Sequence, residues 1–286
     1  MATLVYGKPV ADKILENVQK RLKLTNAVKE VRFYQVGDDP ASNIYVRNKF
    51  RTCANVGLSP VLTKFSKNSR ALQVKKEIAK TTYPSMVQLP LNFSHGAFSE
   101  KDILEQVKYD IDGLSTINGG YLYDMDFEKS IVPCTAQGVM DILEFYDYDV
   151  TGKTVLIAGK SKLVGRPLIM LLLARGATVI SINSKTPIEK TKALLAQSDV
   201  LISAIGQAKF FNRELVPDTI EFIVDVGINK NEESDKLLGD VDPELYSTLP
   251  DNVKITPVPK GVGVVTVANV ARNALRLINQ REGYKE

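Results

Sequence analysis

Apolar residues recur at helical spacing over 9–24, through Val10, Ile14, Leu15, Val18 and Leu22, and predict an amphipathic helix. A β-branched run over 31–36 stops at Gly37 and reads as a strand. Asp39 is placed as a helix cap and Pro40 as a first helical residue, so a helix is expected over 40–56. The alternation continues with strands over 61–65 and 85–91 and helices over 70–80 and 99–107. Residues 108–135 interrupt it with Asn118-Gly119-Gly120 and Pro133, and form the expected seam. Beyond the seam, Thr135 is placed to cap a helix over 136–145. A strand over 154–158, a glycine-flanked turn over 159–165, a helix over 167–174 and a strand over 177–182 make one βαβ unit. Further buried strands are expected over 200–205 and 222–226, with a closing helix over 265–279. Strands alternating with helices predict an α/β fold built on parallel βαβ units.

Composition narrows the function classes. At 286 residues the chain can hold two domains with a substantial core. A net charge of +4 is too small and too dispersed for a nucleic-acid partner, though it modestly favours an anionic small molecule. Cys53 and Cys134 are the only cysteines and lack metal-ligand spacing, so neither a disulfide framework nor a metal site is expected, and both read as structural. The N-terminus has no basic region followed by an apolar run, and no apolar run is long enough to span a bilayer. A soluble cytoplasmic protein without a membrane partner is the expectation.

The single histidine, His95, falls in a polar loop, so a proton-moving group must be sought elsewhere. Tyr45 and Lys49 stand four apart on the expected helix and share one face. A desolvated lysine held by neighbours can serve as such a group. Alone, that pair is ordinarily packing and solvation.

The turn from Gly159 through Lys160, Ser161, Lys162, Leu163, Val164, Gly165 and Arg166 to Pro167 lies between strand and helix, the context of a phosphate-binding loop. Ser161 stands where a second glycine is usual, so turn chemistry alone leaves an ordinary βα turn equally open. After the next strand, Asn183-Ser184-Lys185-Thr186 offers no carboxylate for a ribose hydroxyl. Lys160, Ser184 and Lys185 suit a ribose 2′-phosphate instead, so a bound dinucleotide would be NADP.

Set side by side, the segments 36–42 with Tyr45 to Lys49, 87–91, 110–113, 133–135, 159–167, 225–229, 239–241 and 256–263 resemble, in order along the chain, the bifunctional methylenetetrahydrofolate dehydrogenase/methenyltetrahydrofolate cyclohydrolases. The resemblance implies two α/β domains flanking a cleft, the second a Rossmann-like parallel sheet for dinucleotide binding. Residues 1–118 would form the folate-binding catalytic domain, with 266–286 packing back onto it, and 119–265 the NADP-binding domain. It implies NADP-dependent oxidation of methylenetetrahydrofolate, then hydrolysis of the methenyl product to formyltetrahydrofolate. The product would feed one-carbon metabolism, with purine and amino-acid biosynthesis, in a homodimer.

By the same resemblance Lys49 is the essential lysine of hydrolysis, Tyr45 positions substrate, Gln88 tunes Lys49, and Asp112 holds the pterin ring. Gly261 and Val262 belong to a loop that approaches the folate. Gly159, Lys160, Ser161, Val164, Gly165, Arg166, Ser184 and Ile228 line the dinucleotide site, with Lys160 and Ser184 at the 2′-phosphate. The chain departs from the family pattern at Lys260, where a glycine is usual, and at Val264-Val265, Asn92 and Asn183. Rival readings are a monofunctional NAD-dependent dehydrogenase and a dinucleotide-binding scaffold impaired by the Lys260 loop.

Overall fold

The computed structural model describes residues 1–94, 99–230 and 237–283, so His95 lies outside the described residues. In chain order the elements open with β1 (Thr3–Leu4), α1 (Gly7–Leu24), β2 (Glu30–Val36), α2 (Pro40–Val56), β3 (Ser59–Phe65), α3 (Ala71–Ala79) and β4 (Ser85–Val87). Next come α4 (Glu100–Leu104), α5 (Thr116–Tyr123), α6 (Cys134–Phe145), β5 (Thr154–Ala158), α7 (Gly165–Ala174), β6 (Thr178–Ile182), α8 (Ile188–Leu195) and β7 (Val200–Ser203). The chain ends through β8 (Phe222–Asp225), β9 (Asn229–Lys230), β10 (Leu237–Leu238), α9 (Leu245–Thr248), β11 (Lys254–Ile255) and α10 (Val262–Glu282). None of the described helices is long and apolar enough to cross a membrane.

Two compact units result, Asp12–Cys134 with Val267–Glu286, and Met1–Ala11 with Thr135–Thr266. The division therefore falls at 134/135 rather than the expected 118/119. The first eleven residues belong with the later unit because β1 pairs in parallel with β11 at its sheet edge.

In the unit that begins at Asp12, three parallel strands run in the order β3-β2-β4. Helices cover both faces, so β2 is buried without a break from Phe33 to Val36 rather than alternating. On one side Val31, Phe33 and Met86 pack with Val18 and Leu22 of α1, Cys53 of α2, and Val270, Ala274 and Ile278 of α10. On the other, Tyr34, Val36 and Val87 pack with Val74 and Ile78 of α3 and Ile103 of α4. Helix α2 starts as expected: the Asp39 carboxylate accepts from Ser42 N at 2.7 Å and Pro40 opens the first turn.

The unit that begins at Thr135 carries a six-stranded parallel sheet in the order β1-β11-β8-β7-β5-β6. Its central strands β7 and β8 are fully buried, which accounts for the apolar runs 200–202 and 222–224.

Three local expectations are corrected. The strand expected over 85–91 ends at Val87, after which the chain turns toward Pro90, which has no N–H to donate to a ladder. The turn-prone Asn118-Gly119-Gly120 lies inside α5, where Ser115 caps by accepting from Asn118 N at 3.4 Å. The Asn118 side chain is taken up by tertiary contacts, donating to Gly113 O at 2.8 Å and accepting from Ile131 N at 2.6 Å. Tertiary hydrogen bonds thus override the local turn signal. Thr135 does not cap α6, because the helix already begins at Cys134; its hydroxyl instead accepts from Thr266 Oγ1 at 3.4 Å.

Candidate active site and nucleotide loop

Lys49 lies on the inner face of α2, between Val46 and Cys53 in the line of its buried positions, and is only 9% exposed. A lysine so enclosed needs partners for its ammonium. Its Nζ donates to Gln88 Oε1 at 3.4 Å and stands 3.9 Å from Asp112 Oδ2. Gln88, just past β4, is oriented by its own Nε2, which donates to Leu89 O at 2.6 Å. The lysine from a helix, the amide from a strand end and the carboxylate from a turn therefore meet within one unit. Tyr45, one turn before Lys49, is 36% exposed, and partial desolvation raises its phenol pKa. Burial likewise pushes the Cys53 thiol up to about 12, which leaves it without thiolate character.

The turn that presents Asp112 is built by Asp110, a residue the sequence reading left without a role. Its Oδ1 accepts from Asp112 N and Gly113 N, both at 3.1 Å, and its Oδ2 accepts from Ser115 N at 2.7 Å. Burial raises the Asp110 carboxyl to about 6, opposed by the N–H donor of Ser115 and helped by the Asp112 charge. Gly113 takes φ +67, and a Cβ there would collide with Ile131 O. The signal was present in sequence, since Asp-x-Asp-Gly is an Asx-turn pattern. Behind Asp112, Cys134 is buried and its thiol pKa rises well above the ordinary value, chiefly through desolvation. Asn273 of α10 donates to Ile111 O at 2.9 Å and Val132 O at 3.0 Å, tying this turn to the last helix.

The other unit carries the loop between β5 and α7. Gly159 takes φ +123 and a Cβ there would collide with Ala204 O; a Cβ on Gly165 would collide with Gly159 O. Both glycines are fixed by this close approach, which leaves the loop backbone bare in front of the α7 N-terminus. Ser161 braces the loop from within: its hydroxyl accepts from Val164 N at 3.1 Å and its carbonyl from Arg166 N at 3.0 Å. Arg166 Nε donates to Lys160 O at 3.2 Å, and the Val164 side chain is buried, so both support the loop's shape. Lys160 and Ser184 are exposed two residues past Ala158 and Ile182, which are register partners on neighbouring strands. Asn183 Oδ1 accepts from Lys185 N at 3.0 Å and shapes the turn that presents Ser184. Ile228 is exposed past the end of β8.

Gly261 and Val262 lie in this same unit, at the start of α10, and both are buried. Lys260 before them takes φ +89, a conformation that favours glycine and accounts for the glycine usual there. Its carbonyl accepts from Gly7 N at 2.8 Å. Among the described residues no group of three or more His, Cys, Asp or Glu could hold a metal ion.

The model of the tetrahydrofolate dehydrogenase/cyclohydrolase catalytic domain matches residues 5–112, and that of the corresponding NAD(P)-binding domain matches residues 133–282. The bifunctional protein FolD of Enterococcus faecalis is 37% identical over 278 residues, covering 93% of this chain and 95% of the relative. The crystal structure of the bifunctional FolD methylenetetrahydrofolate dehydrogenase/cyclohydrolase from Campylobacter jejuni is 34% identical with a TM-score of 0.89, covering 98% of this chain and 100% of that one. The Trypanosoma brucei enzyme, solved with NADP cofactor and an inhibitor, is 27% identical with a TM-score of 0.89, each chain 98% covered.

Proposed function

Because this chain belongs to the tetrahydrofolate dehydrogenase/cyclohydrolase family, we propose that it oxidises methylenetetrahydrofolate with NADP and hydrolyses the methenyl product to formyltetrahydrofolate. The observation that carries this reading is the buried Lys49 ammonium held between Gln88 and Asp112. In hydrolysis, water adds to the methenyl carbon and loses a proton; the carbon–nitrogen bond to one ring nitrogen then breaks as that nitrogen is protonated. In its neutral amine form Lys49 Nζ takes the proton from the adding water and, as the ammonium so formed, returns it to the departing nitrogen; Gln88 orients it, and Tyr45 positions the substrate beside it. Asp112 accepts from pterin N–H donors and fixes the ring. Gly261 and Val262 offer backbone to the folate.

NADP, when bound, supplies the hydride acceptor. The residues suit it: Gly159, Ser161, Val164, Gly165 and Arg166 form a close-packed loop at a helix start, and a side chain on either glycine would close it. Lys160 and Ser184 hold the 2′-phosphate, since no carboxylate stands at the end of β6 to prefer a ribose hydroxyl. Ile228 packs beside the cofactor.

The product serves purine and amino-acid biosynthesis in the cytoplasm, and the working form is a homodimer. Edge strand β3 with α2 borders a groove of about 630 Å³ lined by Phe50, Val61, Leu62, Arg47 and Lys64, a surface suited to a second copy. Purified protein given methylenetetrahydrofolate with NADP, and separately with NAD, tests the reading. Reduction of NADP without accumulation of the methenyl compound supports it. Reduction of NAD alone, or no turnover by folded protein, removes it.

A further inference from the structure

Two carboxylates of the unit that begins at Thr135 are almost wholly enclosed, Asp225 at 1% and Asp240 at 0% exposure. Asp240 Oδ2 accepts from Ser203 Oγ at 2.9 Å, Ile205 N at 2.8 Å and Gly206 N at 3.3 Å. Its Oδ1 accepts from Gln207 N at 2.9 Å and Asn229 Nδ2 at 3.0 Å. Asp225 accepts from Gly227 N at 2.9 Å, Asp240 N at 3.0 Å and Val241 N at 2.9 Å, and so holds the backbone of Asp240. The space is shaped for both groups: a Cβ on Gly227 would collide with the Asp240 carboxylate, and one on Gly239 with Asp225 Oδ2.

What the pair braces is specific. The segment 204–207 leaves β7 directly against the glycine loop, with Ala204 N donating to Ala158 O at 2.8 Å and Ala204 O pressed on Gly159. Strands β5, β7 and β8 are parallel neighbours, so Gly159, 204–207 and 226–228 all leave the sheet at its carboxyl edge, where open α/β sheets bind ligands. Three consecutive backbone N–H groups directed onto one carboxylate fix that wall far more tightly than loop chemistry would.

We propose that Asp240, itself held by Asp225, is a positioning residue for the dinucleotide: it sets 204–207, and through Asn229 the Ile228 segment, as the wall facing the cofactor beside the Gly159 loop. This rests on the NADP reading above. Neither carboxylate touches the cofactor; their effect passes through the N–H groups they hold.

The experiment is a fluorescence titration with NADPH, run beside hydrolysis of methenyltetrahydrofolate, which requires no cofactor and is assigned to the Lys49 side. In Asp240→Asn an acceptor oxygen becomes a donor facing backbone N–H groups. The expected result is NADPH affinity at least tenfold weaker, hydrolysis within about twofold, and faster amide exchange at 205–207. Unchanged NADPH affinity in the folded variant overturns the proposal, as does equal loss of both readouts, the mark of a purely structural group. Should Asp240→Asn fail to fold, Ser203→Ala removes one donor alone; weaker NADPH binding with hydrolysis retained supports the proposal, and unchanged binding overturns it. Failure of the unmodified chain to bind NADPH, with hydrolysis present, overturns the NADP reading together with this one.

Discussion

Lys49 and Lys160 show two ways of using the same residue type. Lys49 is enclosed on the inner face of a helix, with an amide and a carboxylate within 4 Å. Lys160 stands exposed on a loop whose close packing comes from Gly159 and Gly165. The first arrangement spends burial to hold one ammonium in a defined place, as proton transfer requires. The second leaves an exposed cation and lets backbone do the shaping, an arrangement that the proposed recognition of a phosphate can use. Substitutions should therefore act on rate in one unit and on affinity in the other.

The largest expected effect is at the enclosed lysine. Lys49→Met should lower hydrolysis by about a thousandfold, within the range for loss of a general acid–base group, while part of the hydride transfer survives. Assays of the two steps on one preparation check this, and equal loss of both would break the comparison. At the exposed lysine, Lys160→Ala with Ser184→Ala should raise the KM for NADP by about a hundredfold with kcat little changed, from loss of charge-assisted hydrogen bonds worth about 1.5–3 kcal/mol. A fall in kcat at unchanged KM would reverse the assignment.

Asp110→Asn tests whether the folate-side carboxylate works through its neighbour. It should raise the KM for folate about tenfold by loosening the Asp112 turn, and leave NADPH affinity alone, since its bonds lie within one unit. The carboxyls also predict a pH dependence. Burial raises Asp225 to about 7 and Asp110 to about 6, both above the value of about 3.9 in an unfolded chain. Between about pH 4 and pH 7 the folded state thus binds more protons than the unfolded one, so stability falls as pH rises through that window. Thermal melting should be higher near pH 5.5 than near pH 7.5, and Asp225→Asn should flatten the upper part of the slope. Melting that rises with pH throughout would contradict both shifts.

The smallest effect is at Lys260. A non-glycine residue at φ +89 costs about 1 kcal/mol, so Lys260→Gly should raise the melting temperature by about 2–4 °C. No gain would mean that the lysine makes a compensating contact.

Much of this could be read along the chain because it is local. The spacing of Tyr45 and Lys49 and the Asp39-Pro40 helix start each depend on residues within a few positions, where backbone geometry alone sets the outcome. The apolar runs that open β7 and β8 marked strands covered on both faces. The misreading of Asn118-Gly119-Gly120 shows the limit: its turn propensity is real, but hydrogen bonds from Asn118 to Gly113 and Ile131 outweigh it.

By itself the sequence determined the α/β alternation, the helix that carries Lys49 and the glycine-flanked turn between strand and helix, all properties of short-range sterics and periodicity. Only the tertiary structure decided that Gln88 and Asp112 meet Lys49, that Asp110 shapes the turn beneath it, and that Asp240 gathers the N–H groups of 205–207. Those contacts join residues far apart in the chain, and it is the packing of helices on parallel strands that brings them within hydrogen-bonding reach.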